Sequence, residues 1–231
     1  MIRRRDSNAT DPNANGKMNT STHTGPDKTG AFLLLGPTGS GKTPLGELIQ
    51  ERGLWQRPCT HFDFGDNLRR VVAENRPDEM VSREDVEFLR QVLRSGALLE
   101  NEDFPIAERV LRSFLRGRQA GSRTAVVLNG LPRHVGQAEA VDAIVTVEAV
   151  ISLDCSPETV LERIRRDVGG DRAGRPDDDP QAIRNKLRIF HERTVPLVQH
   201  YRDLGRRIET VSVAAGMTAA EMWQMLDERG A

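Results

Sequence analysis

The residues from Gly36 to Thr43 read Gly-Pro-Thr-Gly-Ser-Gly-Lys-Thr and directly follow the apolar run Ala31–Leu35. They fit the spacing Gly-x4-Gly-Lys-Ser/Thr, which is typical of a loop between a strand and a helix. Glycines let such a loop fold closely enough for several N–H groups to point into one anion cavity, and the following helix adds its positive end. The pattern therefore predicts a phosphate-binding loop, in which Lys42 reaches phosphate oxygens and the Thr43 hydroxyl binds Mg²⁺.

A phosphate loop of this kind binds a nucleoside triphosphate but does not select the reaction, because kinases, motors, switches and some prenyl transferases all use one. The residues expected to bind ATP here are Gly36, Gly39, Ser40, Gly41, Lys42 and Thr43.

The composition is that of a folded protein without specialised surfaces. The chain has 231 residues, 37% of them hydrophobic, and a formal net charge of −1. No global charge recruits nucleic acid or an anionic membrane, and no apolar run approaches the roughly 18 residues of a membrane span. Two cysteines, Cys59 and Cys155, are too few for a disulfide framework. We therefore expect a cytoplasmic monomer that binds neither nucleic acid nor membranes.

Residues 1–30 differ from the rest of the chain. They are polar and rich in Asn, Thr, Gly and Pro, so they cannot bury enough apolar surface to offset their chain entropy. We expect a disordered tail without the apolar stretch of a signal peptide, and Met18 is a second candidate start. The remaining 31–231 suit one domain.

Within 31–231, short apolar runs alternate with amphipathic stretches. Strands are predicted at Ala31–Leu35, Cys59–Phe64, Thr124–Leu128, Ala149–Leu153 and Ile208–Val213. Helical spacing occurs over 86–93, 106–115, 159–166 and, as one long helix, 180–202. Strands separated by helices imply a parallel sheet. The predicted fold is therefore α/β: a P-loop NTPase fold with a five-stranded parallel sheet flanked by helices.

Six segments, in chain order, resemble motifs of the adenylate kinase family of nucleoside monophosphate kinases. The segment GPTGSGKTP at 36–44 resembles the family pattern GPPGSGKGT. DFGDNLR at 63–69 resembles STGDxLR, and GALLENE at 96–102 resembles GxLVPDE. The segment at 129–137 resembles the family pattern DGFPR with a following glutamine, and the segment at 174–178 resembles GRxDD. The segment at 184–197 resembles R-x-R/K-L followed by T-x-PL. The resemblance implies a monophosphate-binding segment at about 61–100 and a short lid at about 167–178.

The resemblance also implies roles for individual residues. Arg69 and Arg133 would bind the acceptor phosphate, Gln137 would hydrogen-bond the acceptor adenine, and Arg163 would stack on the donor adenine. Arg175 would clamp the transferring phosphoryl group, and Lys186 stands in the place of a family arginine. The remaining assignments are the lid's acidic pair Asp177 and Asp178, Asp66 as the holder of Mg²⁺-bound water, and Phe64, Gly65, Gly96, Ala97, Leu98, Leu99 and Gly130 around the acceptor.

The resemblance implies the reaction ATP + NMP ⇌ ADP + NDP, with Mg²⁺ as cofactor and AMP as the favoured acceptor. This chain departs from the family at three positions that bear on it: Phe64 replaces threonine beside the acceptor base, Asn129 replaces an aspartate, and Lys186 replaces an arginine. These departures leave open a regulatory ATP-binding protein that has lost catalysis, or a kinase for another small molecule. A tRNA prenyl transferase is a third alternative, since its loop resembles Gly36–Leu45, but it has no counterpart of NGLPR or GRPDD.

Overall fold

The computed structural model describes residues 28–74, 81–95, 99–118, 123–170 and 180–230. The strands are β1 (Gly30–Leu35), β2 (Cys59–Asp63), β3 (Ala125–Asn129), β4 (Thr146–Asp154) and β5 (Arg207–Ser212). They form one parallel sheet in the order β2-β3-β1-β4-β5. The five-stranded parallel sheet predicted from the sequence is confirmed.

Helices flank this sheet on both faces. They are α1 (Lys42–Arg52), α2 (Phe64–Glu74), α3 (Arg83–Ser95), α4 (Phe104–Gly117), α5 (Val135–Asp142), α6 (Pro157–Arg166), α7 (Pro180–Ile189), α8 (Pro196–Asp203) and α9 (Ala219–Asp227). A π-helical turn, Phe190–Thr194, joins α7 to α8, and a 3₁₀ turn, Glu228–Gly230, follows α9. Among the described residues, no helix is long and apolar enough to cross a membrane.

The alternation of side chains along β1 divides the core into two layers. Ala31, Leu33 and Leu35 face one buried cluster, to which α2, α3, α4, α5 and α8 contribute. Phe32 and Leu34 face the other cluster, to which α1, α6, α7 and α9 contribute. Because all five strands run parallel, their carboxyl ends meet at one edge of the sheet, where an α/β fold binds ligands.

The prediction of one long helix over 180–202 is wrong, because the structure divides this segment into α7, the π-helical turn and α8. Pro196 has no N–H to continue the α-helical hydrogen-bond pattern. Immediately before it, the Val195 N–H donates to the Phe190 carbonyl at 3.0 Å, a spacing of five residues.

Several predicted boundaries also shift by one to three residues, and the hydrogen bonds explain two of these shifts. β2 ends at Asp63 and not at Phe64, because the Asp63 carboxylate accepts the Asp66 N–H at 2.9 Å and begins α2 at once. The end of the predicted tail belongs to the fold. Lys28 donates to the Asp142 carbonyl at 2.8 Å, and the Thr29 carbonyl accepts the Thr146 N–H at 3.0 Å.

Candidate active site

The phosphate loop connects β1 to α1 with two residues in left-handed backbone conformations. Gly39 has φ +74° and Gly41 has φ +96°, values that other residues rarely adopt. A Cβ atom at Gly39 would also lie only 2.6 Å from Cγ1 of Ile164. The loop therefore requires glycine at these two positions for its backbone shape and for close packing against α6.

Lys42 lies at the start of α1, with its ammonium group directed back across the loop. Its Nζ donates to the carbonyl oxygens of Gly36 at 2.7 Å and Pro37 at 2.8 Å. Ser40 is fully buried in the same loop, and its hydroxyl has no hydrogen-bond partner among the described residues. An unpaired hydroxyl and an ammonium group in one loop fit an anionic ligand, since phosphate oxygens accept strongly from both.

A second cluster connects the loop to the ends of β2 and β3. The Thr43 hydroxyl donates to Oδ2 of Asp63 at 2.7 Å, and Nδ2 of Asn129 donates to the same oxygen at 2.8 Å. Nδ2 of Asn129 also lies 3.3 Å from the Thr43 hydroxyl oxygen. Asp63 and Asn129 are register partners of the parallel β2–β3 pair, so the sheet itself holds the cluster together.

Asp63 belongs to this cluster, and the sequence reasoning did not single it out. The family motif has serine at this position, so a position-by-position comparison assigned the metal to Asp66. The structure places Asp66 instead on the exposed side of α2, with its carboxylate 3.5 Å from Nη2 of Arg69. The available signal was an acidic residue at the carboxyl end of a predicted strand.

The two arginines expected to bind the acceptor phosphate lie in the segments that follow β2 and β3. The Arg69 side chain is 55% exposed on α2. Arg133 follows β3 and is half-buried, with Nε donating to the Gly130 carbonyl at 3.2 Å. Burial lowers the pKa of Arg133 from its usual value, and the neighbouring Asp63 carboxylate opposes that shift. Guanidinium groups form bidentate hydrogen bonds with phosphate oxygens, so both side chains suit a phosphate.

Small residues leave room beside both guanidinium groups. A Cβ atom at Gly65 would lie 3.5 Å from Nη1 of Arg69, and one at Gly130 would lie 3.9 Å from Nη2 of Arg133. Phe64 and Leu99, expected around the acceptor base, are only 3% and 5% exposed and belong to the core cluster. In this conformation both side chains pack in the core and leave little exposed surface for contact with a base.

Gln137 is placed inside the protein, on the first turn of α5, with 2% of its surface exposed. Its Oε1 accepts the Arg133 N–H at 2.9 Å, and its Nε2 donates to the Leu99 carbonyl at 3.2 Å. The amide therefore joins the Arg133 loop to the segment before α4. The adenine contact expected of Gln137 requires a conformation in which this amide is exposed.

The loop of Arg133 has a second support, from the π-helical turn. The Thr194 hydroxyl donates to the Arg133 carbonyl at 2.8 Å. Arg193 forms a bidentate ion pair with Glu100, at 2.8 and 2.6 Å. These hydrogen bonds hold the pKa of Glu100 below its usual value. The π-helical turn is thus bonded both to the loop of Arg133 and to the segment before α4.

The guanidinium group of Arg163 is buried, and only 3% of the residue is exposed. Nε donates to the Gly39 carbonyl at 3.0 Å, and Nη1 donates to the carbonyls of Ala214, Ala215 and Met217 at 2.9, 3.3 and 2.7 Å. These hydrogen bonds hold the guanidinium group inside the protein, so little of its surface is exposed for the expected stacking on a donor adenine. The observed contacts indicate a residue that positions the phosphate loop.

Few of the remaining predicted site residues lie within the described part of the chain. Lys186 lies half-buried on α7. Asp167–Gly170, the start of the predicted lid, form a turn after α6. Arg175, Asp177 and Asp178 lie outside the described residues, as do Gly96, Ala97 and Leu98. Within the described part of the chain, no group of three or more His, Cys, Asp or Glu side chains is placed to hold a metal ion.

Comparisons with known proteins agree with this geometry. The chain is 32% identical over 183 residues to an adenylate kinase from Xanthomonas campestris, covering 76% of this chain and 87% of that protein. It is 30% identical over 182 residues to an adenylate kinase from Stenotrophomonas maltophilia, covering 75% and 86%.

A solved structure supports the fold. A gluconokinase from Sinorhizobium meliloti has a TM-score of 0.52 at 19% identity, covering 88% of this chain and 93% of its own. The sequence profile described as adenylate kinase matches residues 34–206. With the phosphate loop and the parallel sheet, these matches show that the chain belongs to the adenylate kinase family and has the fold of a P-loop kinase.

Proposed function

We propose that the protein transfers the γ-phosphoryl group of ATP to a nucleoside monophosphate, with AMP as the favoured acceptor. The observation that carries this proposal is the position of Arg69 on α2, which directly follows β2, and of Arg133 in the loop that follows β3, since the carboxyl ends of these strands lie at the same edge of the sheet as the phosphate loop. Two guanidinium groups at this edge suit an acceptor that is itself a phosphate.

The loop residues fit a magnesium–nucleotide complex. The unpaired Ser40 hydroxyl, the Lys42 ammonium group and the Thr43 hydroxyl are the groups that would hold the triphosphate and its metal. When bound, Mg²⁺ neutralises charge that develops on the phosphate oxygens. Lys42 would exchange the neutral carbonyls of Gly36 and Pro37 for phosphate oxygens, which accept more strongly.

The chain's own residues then bring donor and acceptor together. Arg69 and Arg133 hold the acceptor phosphate so that one of its oxygens faces the γ-phosphorus. A bond forms from that oxygen, the bond from the γ-phosphorus to the bridging oxygen of ATP breaks, and ADP leaves. The acceptor oxygen is already ionised, so positioning and charge neutralisation carry the reaction without a general base.

One observation favours a second candidate, a kinase for a small molecule with a hydroxyl group. The Asp63 carboxylate lies beside the phosphate loop, and a carboxylate in that position can accept a hydroxyl proton during phosphoryl transfer. Such an acceptor would not need the two arginines.

A panel of acceptors separates these functions. Purified protein with MgATP is offered AMP, CMP, UMP, GMP, their deoxy forms and, as a hydroxyl acceptor, gluconate. The proposal expects phosphorylation of AMP at the highest kcat/KM and none of gluconate. Transfer to gluconate alone would establish the second candidate. ATP binding without transfer to any acceptor would instead support a regulatory protein.

A further inference from the structure

The cluster of Thr43, Asp63 and Asn129 contains a single carboxylate, on β2. Its two oxygens accept three hydrogen bonds: Oδ2 from the Thr43 hydroxyl at 2.7 Å and from Asn129 at 2.8 Å, and Oδ1 from the Asp66 N–H at 2.9 Å. A carboxylate has about four lone-pair positions, so most of its accepting capacity is used inside the protein. This occupancy argues against Asp63 as the base that takes a proton from a substrate.

The direction of the Thr43 hydrogen bond matters for the metal. A hydroxyl has one hydrogen and two lone pairs. Since the hydrogen of Thr43 points to Asp63 and one lone pair of its oxygen accepts Nδ2 of Asn129 at 3.3 Å, the second lone pair remains available to a cation. Donation to a carboxylate also makes the oxygen a stronger ligand, as hydrogen bonds from outside the coordination sphere do in other metal sites.

We propose that Asp63 is the metal-positioning residue of this protein: it orients the Thr43 hydroxyl for the Mg²⁺ of the bound nucleotide. This inference rests on the proposed use of MgATP and goes beyond it, because it assigns the positioning carboxylate to β2. Asn129 holds Asp63 in place from the neighbouring strand.

The geometry makes the role transferable between the two strands. Asp63 and Asn129 are register partners, and both side chains lie within hydrogen-bonding distance of Thr43, at 2.7 and 3.3 Å. The carboxylate and the amide can therefore exchange positions, with the amide still donating to the carboxylate and the Thr43 hydroxyl still facing an acceptor. Asp63→Asn alone removes the carboxylate, whereas Asp63→Asn/Asn129→Asp returns one.

The test measures the affinity of Mn²⁺ for the protein–ADP complex by electron paramagnetic resonance. Asp63→Asn is expected to weaken Mn²⁺ binding about 10- to 100-fold, the usual effect of losing such a partner. The double variant is expected to recover most of that loss. Asp154→Asn is the matched control, since it removes an exposed carboxylate at the end of β4. Thermal unfolding of each variant checks folding, and Asp63→Ser replaces Asp63→Asn if the latter does not fold.

Unchanged Mn²⁺ affinity in the single variant would overturn the inference, as would a double variant that binds Mn²⁺ no better than the single one. A loss in Asp66→Asn without a loss in Asp63→Asn would return the role to Asp66. The measurement uses no acceptor, so it separates the two proposals: wild-type protein that phosphorylates no nucleoside monophosphate contradicts the proposed function, whatever the Asp63 variants do to Mn²⁺ binding.

Discussion

Arg163 on α6 and Gly39 in the phosphate loop are joined by a hydrogen bond of 3.0 Å from Nε to the carbonyl oxygen. The same guanidinium group donates to three carbonyls in the segment between β5 and α9. One buried side chain therefore joins the loop to the segment between β5 and α9, and we expect the loop's shape to depend on it.

Arg163→Met tests this dependence, because methionine keeps much of the side-chain volume but none of the donors. Four carbonyls lose their donor, which we expect to lower the free energy of unfolding by about 2–3 kcal/mol. The KM for ATP should rise as well. Urea unfolding and initial rates measure the two effects. Arg165→Met, at an exposed position of the same helix, is the control. If the two variants had the same free energy of unfolding and the same KM for ATP, the positioning role would be refuted.

Lys42→Met removes the ammonium group from the phosphate loop. We expect kcat to fall by about 100-fold or more, since a group that stabilises charge in the transition state is lost. The variant should still fold. Lys28→Met provides the comparison, because Lys28 is exposed and its ammonium group donates to the Asp142 carbonyl. A Lys42 variant as fast as the Lys28 variant would contradict the assignment.

Lys186 is one of four lysines in a chain with 33 basic residues, the other 29 being arginine. Lys186→Arg replaces a point charge with a planar fork, which binds phosphate in a different geometry. We expect kcat to change in Lys186→Arg and to fall in Lys186→Met, with little change in thermal stability. Arg188→Lys, an exposed change on the same helix, should leave kcat as it is. An unaltered kcat in both Lys186 variants would make Lys186 a surface residue.

Asp85 is predicted to stabilise the monophosphate-binding segment in a pH-dependent way. Its carboxylate is buried and accepts Nε of Arg109 at 3.0 Å, and it forms reciprocal hydrogen bonds with Ser82 at the start of α3. Burial raises the pKa of Asp85, but the hydrogen bonds from Arg109 and Ser82 outweigh it, so the pKa lies below the usual 3.8. This contribution is present above the unfolded-state pKa and is lost as the pH falls through the lower folded-state pKa.

Asp85→Asn should therefore lower the free energy of unfolding by about 2 kcal/mol at pH 7, through the broken pair with Arg109. The difference in the free energy of unfolding between Asp85→Asn and the wild type should become smaller as the pH falls below about 4. Urea unfolding at a series of pH values measures it, with Glu108→Gln, from an exposed pair, as the control. A difference that stays constant down to pH 3 would show that the Asp85 charge is not responsible.

Local patterns in the sequence were sufficient to predict the phosphate loop and the five strands. Gly39, Gly41 and Lys42 follow from spacing alone, and the strands follow from short apolar runs. Pro196 carried a readable signal that the long helix would be interrupted.

Burial and pairing between distant segments could not be read in the same way. The buried positions of Arg163 and Gln137 depend on carbonyls far along the chain, at Met217 and Leu99. The role of Asp63 depends on the register that pairs β2 with β3. Such contacts arise from tertiary packing, and motif comparison describes only the residue type.

The central claim is most directly tested by following γ-labelled ATP incubated with the protein, Mg²⁺ and AMP. The account predicts that ADP forms only when AMP is present, that the label appears in the β-phosphate of the ADP made from AMP, and that ATP remains intact without an acceptor. Label released as inorganic phosphate at the same rate with and without AMP, or ATP left unchanged in the presence of AMP, would contradict it.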